Sequence, residues 1–343
     1  MRRSTGFGGA LVLLVTGLAG LASPAQQAPA SPPAVPVEPK TAIFDAFRTH
    51  SLVALGDAHG NEPGEAFRLA LIRDPRFAAA ANDIVVEYGN GRYQDLMDRF
   101  VRGERMSDDV LRQAWQNTTQ PQAVSWEMPE LFRVVREINA SLPPARQLRV
   151  LLGDPPIEWE NIRTADDLRS WTADGRPGDR DRYATALIER EVLAKQRHAL
   201  LLYGAGHFFR KNQTFSIVSL LEGTGRTKVF TIWTNAGADL QTFQPDVASW
   251  PVPSLTSVRG TVLGRENFAA YFPSGTPVPA QWRVPMEDQF DAVLYLGPLS
   301  RITFARAGPW PCADPAFAER LRRIALYPLS QGQVERLEQT CTK

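Results

Sequence analysis

Short apolar segments rich in β-branched residues recur along the chain, and most of them are separated by stretches with helical periodicity. The apolar segments are five or six residues long and cover positions 52–56, 84–88, 148–153, 199–203, 229–233 and 292–297. Amphipathic patterns typical of surface helices cover positions 65–72, 129–139 and 182–195. Near-continuous apolar strands that alternate with helices predict an α/β fold, with a mostly parallel sheet covered by helices on both faces.

One internal regularity suggests that the fold arose by duplication. Residues 50–59 and 198–207 align without a gap, share four identical positions, and both end in Gly-x-x-His. The same register carried forward brings Glu87 opposite Asn235, one strand later in each copy. Apolar strands can resemble one another by chance, but the motif retained in both copies favours an internally duplicated three-strand unit.

Polar side chains follow the predicted strands at their carboxyl ends. Asp57 and His59 follow the first strand, Glu87 ends the second, Asp154 follows the third and His207 follows the fourth. In an open parallel sheet, ligands bind outside this edge, because loops and helix N-termini converge there. The glycine before each histidine predicts a sharp turn that lets the imidazole point back over the sheet. The pattern predicts one functional centre at this edge.

His59, Glu87 and His207 form a set of two histidines and one carboxylate. Such a set suits a divalent metal ion with open positions for water. Without a metal, the same groups suit acid–base chemistry, in which a histidine activates water and a carboxylate orients it. The sequence leaves both possibilities open.

Three further residues are candidates for the same site. Asp57 suits a ligand or an orienting group, or else a cap on the next helix. Asp154, within Gly-Asp-Pro-Pro, suits the same roles or a simple turn. Arg180, in the run Asp-Arg-Asp-Arg, belongs either to the site or to the surface at a helix start. The sequence contains no Gly-x-Ser-x-Gly, P-loop or dinucleotide motif, so serine hydrolases, NTPases and Rossmann dehydrogenases lack support.

These motifs resemble those of the superfamily that joins erythromycin esterases, ChaN-type haem-binding lipoproteins and Tiki/TraB-like proteases. The shared features are the Gly-x-x-His motifs that end at His59 and His207, and Glu87 at the end of the intervening strand. The esterase branch implies water activation by His59 and Glu87, the Tiki branch implies a metal held by the paired motifs, and the ChaN branch implies haem. One difference is Asp57, where esterase-like members usually carry glutamate.

The start of the chain indicates export. Met1-Arg2-Arg3 is followed by an apolar stretch to about residue 22 and by small residues, the layout of a signal peptide over residues 1–25. The stretch is shorter than the ~20 apolar residues of a membrane span. Residues 26–40, rich in Pro and Ala, predict an extended tether, and residues 41–343 predict a single α/β domain. We therefore expect a periplasmic or secreted protein without a stable membrane span.

Cysteine content and charge add two expectations. Cys312 and Cys341 are the two cysteines of the chain and flank a helical segment at 312–341, so an oxidising compartment predicts a disulfide between them. The formal net charge is +1 and no basic tract stands out, which argues against nucleic acid as a partner.

Together these features predict an exported hydrolase that acts on an ester, lactone or amide of a small molecule. The alternative is a haem- or metal-binding uptake protein that uses the same crevice without catalysis.

Overall fold

Seven β-strands form the centre of the computed structural model. It describes residues 31–119, 127–173, 180–212, 215–273 and 275–305 and six further positions after residue 318. The strands are β1 (Leu52–Asp57), β2 (Asp83–Asn90), β3 (Arg149–Asp154), β4 (Ala199–Gly204), β5 (Val229–Thr234), β6 (Ser254–Ser257) and β7 (Ala292–Tyr295). They lie in one sheet in the order β3-β2-β4-β1-β5-β7-β6. Neighbouring strands pair in parallel, except that β6 runs antiparallel to β7. The predicted α/β fold with a mostly parallel sheet is confirmed.

Helices cover both faces of this sheet. In chain order they are α1 (Pro39–Phe47), α2 (Glu62–Ile72), α3 (Phe77–Ala80), α4 (Gln94–Val101), α5 (Asp108–Gln116), α6 (Glu127–Ala140), α7 (Ala165–Ala173), α8 (Arg180–Ile188), α9 (Ile217–Gly223), α10 (Val262–Arg265) and α11 (Met286–Gln289). Alternate strand residues point to opposite faces, so Val53 packs in one buried layer with α1 to α6 and Ala54 in the other with α8 to α11. The apolar runs of the sequence are continuous because both strand faces are buried.

The sheet order has the symmetry that a duplication predicts. Exchanging β1 with β4, β2 with β5 and β3 with β7 reverses the order of these six strands and otherwise leaves it unchanged. Counterparts also face opposite sides, since Val53 belongs to one buried layer and Leu201, its match in the repeat, to the other. Because β1 and β4 are neighbours, the two Gly-x-x-His motifs end side by side at the same edge.

The residues before α1 belong to the folded unit, whereas composition predicts an extended tether there. Ala34 N donates to Gln244 Oε1 at 2.7 Å, and Gln244 Nε2 donates back to Ala34 O at 2.9 Å. Val37 forms an antiparallel bridge with Leu255 on β6. The compact unit therefore begins at Ser31, before the predicted boundary at residue 41. Composition could not predict that these residues pack on the domain, because the contacts are backbone and amide hydrogen bonds to the edge strand and its neighbouring loop.

Several predictions concern residues outside the described ranges. They are the signal peptide at 1–25, the first part of the tether, and the Cys312–Cys341 disulfide with most of its helical segment. In the ranges that the structure describes, no helix combines the length and the apolar content needed to cross a membrane.

Candidate active site

Two histidines approach one buried glutamate at the carboxyl edge of the sheet. Glu87 is 3% exposed, and its Oε2 lies 3.6 Å from His59 Nε2 while its Oε1 lies 3.3 Å from His207 Nε2. Strand β4 lies between β2 and β1, so the glutamate reaches over the end of β4. There Gly204 N donates to Glu87 Oε2 at 2.6 Å. The carboxylate is thus the common centre of both sequence motifs.

A β-bulge interrupts the pairing of β2 with β3 at Glu87. Strands β2 and β3 pair regularly up to Val86 and Leu152, and pairing resumes at Asn90 and Asp154. Three residues of β2 therefore stand opposite one residue of β3, and such bulges re-aim side chains beside active sites. A Cβ on Gly89 would lie 2.5 Å from Leu152 Cδ2, so glycine is needed for this close approach.

Asp57 orients the first histidine. Its Oδ2 accepts a hydrogen bond from His59 Nδ1 at 2.9 Å, and its Oδ1 accepts one from Arg68 Nη1 at 2.6 Å. With Nδ1 held in this way, Nε2 is the ring nitrogen left for chemistry, since 3.6 Å to Glu87 exceeds hydrogen-bond length. Burial opposes protonation of His59, but the charges of Glu87 and Asp57 outweigh it and raise its pKa.

The second histidine is held between two carboxylates. His207 Nδ1 pairs with Asp181 Oδ1, while its Nε2 faces Glu87. Burial again opposes protonation, but Glu87 and Asp181 raise the pKa of His207 to about 9. Burial also acts to raise the pKa of Glu87, yet the charges of His207, His59 and Arg180 hold it well below its usual range. At neutral pH, His207 is therefore an imidazolium beside an ionised glutamate.

Arg180 joins Glu87 to Asp154. Its Nη2 donates to Glu87 Oε1 at 2.8 Å, and its Nε donates to Asp154 Oδ1 at 3.0 Å. Asp154 is fully buried and accepts hydrogen bonds from the backbone N–H and the hydroxyl of Thr119, both at 2.7 Å. Burial raises the pKa of Asp154, although Arg180 and Thr119 act in the opposite direction. The Arg180 guanidinium is thus a positive charge in contact with two buried carboxyl groups, those of Glu87 and Asp154.

Two tyrosine rings pack against the histidines. The ring centroid of Tyr88 lies 5.2 Å from that of His59, and the centroid of Tyr203 lies 5.6 Å from that of His207. Burial raises the pKa of both tyrosines well above the usual value, so both hydroxyls stay neutral. These rings restrict how far either imidazole can rotate.

The structure brings all of the predicted site residues into one connected set of contacts. They are Asp57, His59, Glu87, Asp154, Arg180 and His207. Asn235, the repeat counterpart of Glu87, instead closes a turn, in which its side chain bonds the backbone of Ala238 in both directions. The two copies of the sequence repeat therefore contribute different side chains at this edge.

Three contributors were missed by sequence reasoning. Asp181 lies in the same Asp-Arg-Asp-Arg run as Arg180 and could have been found there. Arg68 gives no signal in the sequence, because it acts from within α2, whose start is fixed by the Asn61 side chain accepting Gly64 N–H at 2.9 Å. The third is the backbone N–H of Gly204, which no sequence pattern identifies.

The glycines of the two motifs serve close approach, whereas the sequence predicted sharp turns. Neither Gly56 nor Gly204 has a positive φ. A Cβ on Gly204 would lie 2.7 Å from His59 Nε2, and a Cβ on Gly56 would lie 3.1 Å from Ala205 Cβ. Each glycine therefore makes room for the loop of the other copy.

The predicted metal set is not arranged as a metal site. In the part of the chain that the structure describes, no three His, Cys, Asp or Glu side chains are grouped so that they could hold one ion. His59 and His207 face different oxygens of Glu87, and Arg180 donates to one of those oxygens. A guanidinium bound at this point repels a second cation. The donor set therefore does not fit a divalent metal.

The fold and the side chains at the carboxyl edge of its sheet define an α/β protein with a histidine–carboxylate centre. No family model matches the sequence, and no curated protein does. A crystal structure of a Bacillus cereus protein is 12% identical over 80% of this chain and 96% of its own, with a TM-score of 0.54. This likeness supports the fold alone.

Two further solved structures are similar to this chain with lower TM-scores. A succinoglycan biosynthesis protein is 8% identical over 77% of this chain and 94% of its own, with a TM-score of 0.47. ChaN of Campylobacter jejuni, described with cofacial haem binding, is 12% identical over 58% of this chain and 87% of its own, with a TM-score of 0.36. Similarities of this size assign no family.

Proposed function

We propose that the protein is a hydrolase that activates water with His59 and acts on an ester, lactone or amide of a small molecule. The observation that carries the proposal is the Asp57–His59 pair. Asp57 holds Nδ1, Nε2 makes no hydrogen bond to Glu87, and a third of the imidazole is exposed. A histidine oriented in this way takes a proton from water through Nε2 as the water oxygen attacks the carbonyl carbon.

His207 supplies the proton that the leaving group needs. Its pKa of about 9 keeps it protonated at neutral pH, and its Nε2 faces the same carboxylate as His59 Nε2. One oxygen of Glu87 thus lies 3.6 Å from the base and the other lies 3.3 Å from the acid. Two groups of the same type take different roles because their surroundings differ.

Arg180 positions the glutamate between the histidines. Its guanidinium uses Nε and Nη2 for Asp154 and Glu87, which keeps the carboxylate ionised and fixed. A positive charge beside the reacting carbonyl also favours the negative charge that develops on its oxygen. The signal-peptide pattern at residues 1–25 supports the further proposal that this chemistry takes place in the periplasm or outside the cell.

A panel of aryl and alkyl esters, lactones and amides tests the proposal. We expect turnover of at least one class by the wild type, retained after dialysis against a chelator, and lost in His59→Ala. His50→Ala is the matched control, because His50 precedes β1 at the opposite end of the strand. Titration with haem is run in parallel. A Soret band from bound haem with no turnover of any ester, lactone or amide would replace hydrolysis by haem binding.

The turnover rate should follow a bell-shaped pH profile with its maximum above neutral pH. His59 acts as a base only when neutral, and its pKa is raised, so the acid limb lies above pH 6.5. His207 acts as an acid only when protonated, so activity falls again near pH 9. In Asp57→Asn, the acid limb should move to lower pH, because one charge that raises the His59 pKa is removed. A profile flat from pH 6 to 10 would contradict these assignments.

Gly204→Ala should reduce turnover with little loss of stability. The added methyl group would lie 2.7 Å from His59 Nε2, so the ring must leave its position. A displaced catalytic group of this kind costs about 10²-fold in rate. Gly206→Ala is the control, since a Cβ there meets nothing within 4 Å. Equal rates in the two variants would show that the position of His59 does not limit the reaction.

A further inference from the structure

The hydroxyl of Tyr88 is a buried hydrogen-bond donor beside His59. Tyr88 is 5% exposed, and its ring centroid lies 5.2 Å from that of the His59 imidazole. Among the residues that the structure describes, no group makes a hydrogen bond with this hydroxyl. A buried polar group without a partner costs free energy in a folded protein, so its presence beside a functional histidine calls for a physical reason.

Four charged groups of the candidate site act on this hydroxyl. Burial and the negative charges of Glu87 and Asp57 raise the pKa of Tyr88, whereas the positive charges of Arg180 and Arg68 act in the opposite direction. The hydroxyl therefore lies within electrostatic reach of both carboxylate–arginine pairs of the site. It also keeps its proton at neutral pH, so it can donate a hydrogen bond.

The second tyrosine of the site differs in where its hydroxyl lies. Tyr203 packs on His207, and its hydroxyl also has no hydrogen-bond partner in the described part of the chain. This hydroxyl, however, occupies the space that a Cβ on Gly153 of β3 would fill. Packing against a glycine therefore accounts for the position of the Tyr203 hydroxyl.

Hydrolysis requires a hydrogen-bond donor for the carbonyl oxygen of the substrate. When water attacks a carbonyl carbon, negative charge develops on that oxygen, and donors fixed beforehand in a water-excluded site stabilise it. Arg180 already uses Nε and Nη2 for Asp154 and Glu87. On the basis of the proposed hydrolase function, we propose that the Tyr88 hydroxyl donates a hydrogen bond to the carbonyl oxygen while His59 activates the attacking water.

Electrons and protons balance around the substrate carbonyl. His59 Nε2 takes a proton from water, the water oxygen bonds to the carbonyl carbon, and the π electrons of the carbonyl move to its oxygen. The Tyr88 hydroxyl keeps its own proton and holds this oxyanion by a hydrogen bond. When the double bond reforms, the bond to the leaving group breaks and His207 supplies the proton that the leaving group takes. Catalytic hydrogen bonds often reach their working geometry only in the complex with substrate.

Tyr88→Phe tests the inference, because it removes the hydroxyl and keeps the ring that packs on His59. We expect kcat for a substrate found in the panel to fall about 10²–10³-fold, the cost of one oxyanion donor, with KM little changed. The melting temperature should stay the same or rise, since an unpartnered buried hydroxyl is removed. The pH profile should keep its shape, because neither histidine loses a charged neighbour.

Tyr271→Phe is the matched control. Tyr271 is fully buried in the layer with α8 to α11, and its hydroxyl donates to Leu263 O at 2.7 Å. This variant should turn over substrate like the wild type but melt at a lower temperature, the opposite of the result expected for Tyr88→Phe.

Three results would overturn the role of Tyr88. Wild-type kcat in Tyr88→Phe would show that the hydroxyl does not act in the reaction. A fall in melting temperature as large as that of Tyr271→Phe would show that the hydroxyl is held by the fold. Absence of turnover in the wild type would overturn the hydrolase proposal and this inference with it, whereas an active Tyr88→Phe would overturn the inference alone.

Discussion

His59→Ala and Glu87→Gln are each expected to lower turnover by about 10²–10⁴-fold, the range for loss of a general base. The histidine loses its proton-accepting Nε2 in the first variant. In the second, the neutral amide no longer carries the charge that raises the pKa values of His59 and His207. The acid His207 then holds its proton less tightly, and neither histidine keeps the carboxylate that it faces.

The double variant should be barely slower than the slower single variant. Groups that act as one unit are strongly non-additive, because removal of either already abolishes the shared step. Turnover of a substrate found in the panel is measured for both single variants and the double, with melting temperatures alongside. His50→Ala should match the wild type in both readouts. Two modest effects that multiply independently would remove the pair from the active site.

Arg180→Met is expected to lower the free energy of unfolding by about 3–5 kcal/mol, the cost of removing one partner from a buried ion pair. The guanidinium is 14% exposed and contacts two carboxylates that are 3% exposed or less, Glu87 and Asp154. Methionine fills a similar volume but takes the guanidinium away from both carboxylates. Burial already raises the pKa of Asp154, so the variant should recover stability relative to the wild type as pH falls.

A second substitution separates stability from activity. Arg180→Met/Asp154→Asn should be more stable than Arg180→Met, because the amide removes one uncompensated buried charge and still accepts a hydrogen bond from Thr119. Turnover should not recover, since Glu87 still lacks its guanidinium. Chemical denaturation at pH 5 and pH 7.5 measures the first effect, and the ester assay measures the second. Equal stability of the single and the double variant would contradict this, because it would show that Asp154 carries no charge in folded Arg180→Met.

Hydrophobic pattern alone was enough to predict six of the seven strands that the structure describes. Strands β1 to β5 and β7 coincide with the apolar runs, because a parallel strand buried on both faces must be apolar at nearly every position. Strand β6, Ser-Leu-Thr-Ser, could not be predicted in this way. It is short, lies at the sheet edge, and is held by antiparallel pairing with β7 on one side and a bridge to Val37 on the other.

The sequence predicted which residues of the candidate site lie at the carboxyl ends of strands. Residues at the carboxyl ends of parallel strands must meet at one edge, so Asp57, His59, Glu87 and His207 could be grouped from sequence. The sequence repeat also predicted that the two Gly-x-x-His motifs are related. Their adjacency follows from the symmetric strand order, in which β1 lies beside β4.

The tertiary structure decided what these side chains are bound to. Arg68 reaches Asp57 from α2, and Arg180 reaches Glu87 and Asp154 from α8. Such pairings join residues 11 to 93 positions apart in the chain, and their geometry depends on how each helix packs on the sheet. Because Arg180 donates to Glu87, a guanidinium occupies the position where the sequence allowed a metal ion. Residue types in the sequence therefore determined which groups meet at this edge, whereas packing determined their charges and partners, because pKa values depend on burial and on charges within a few ångströms.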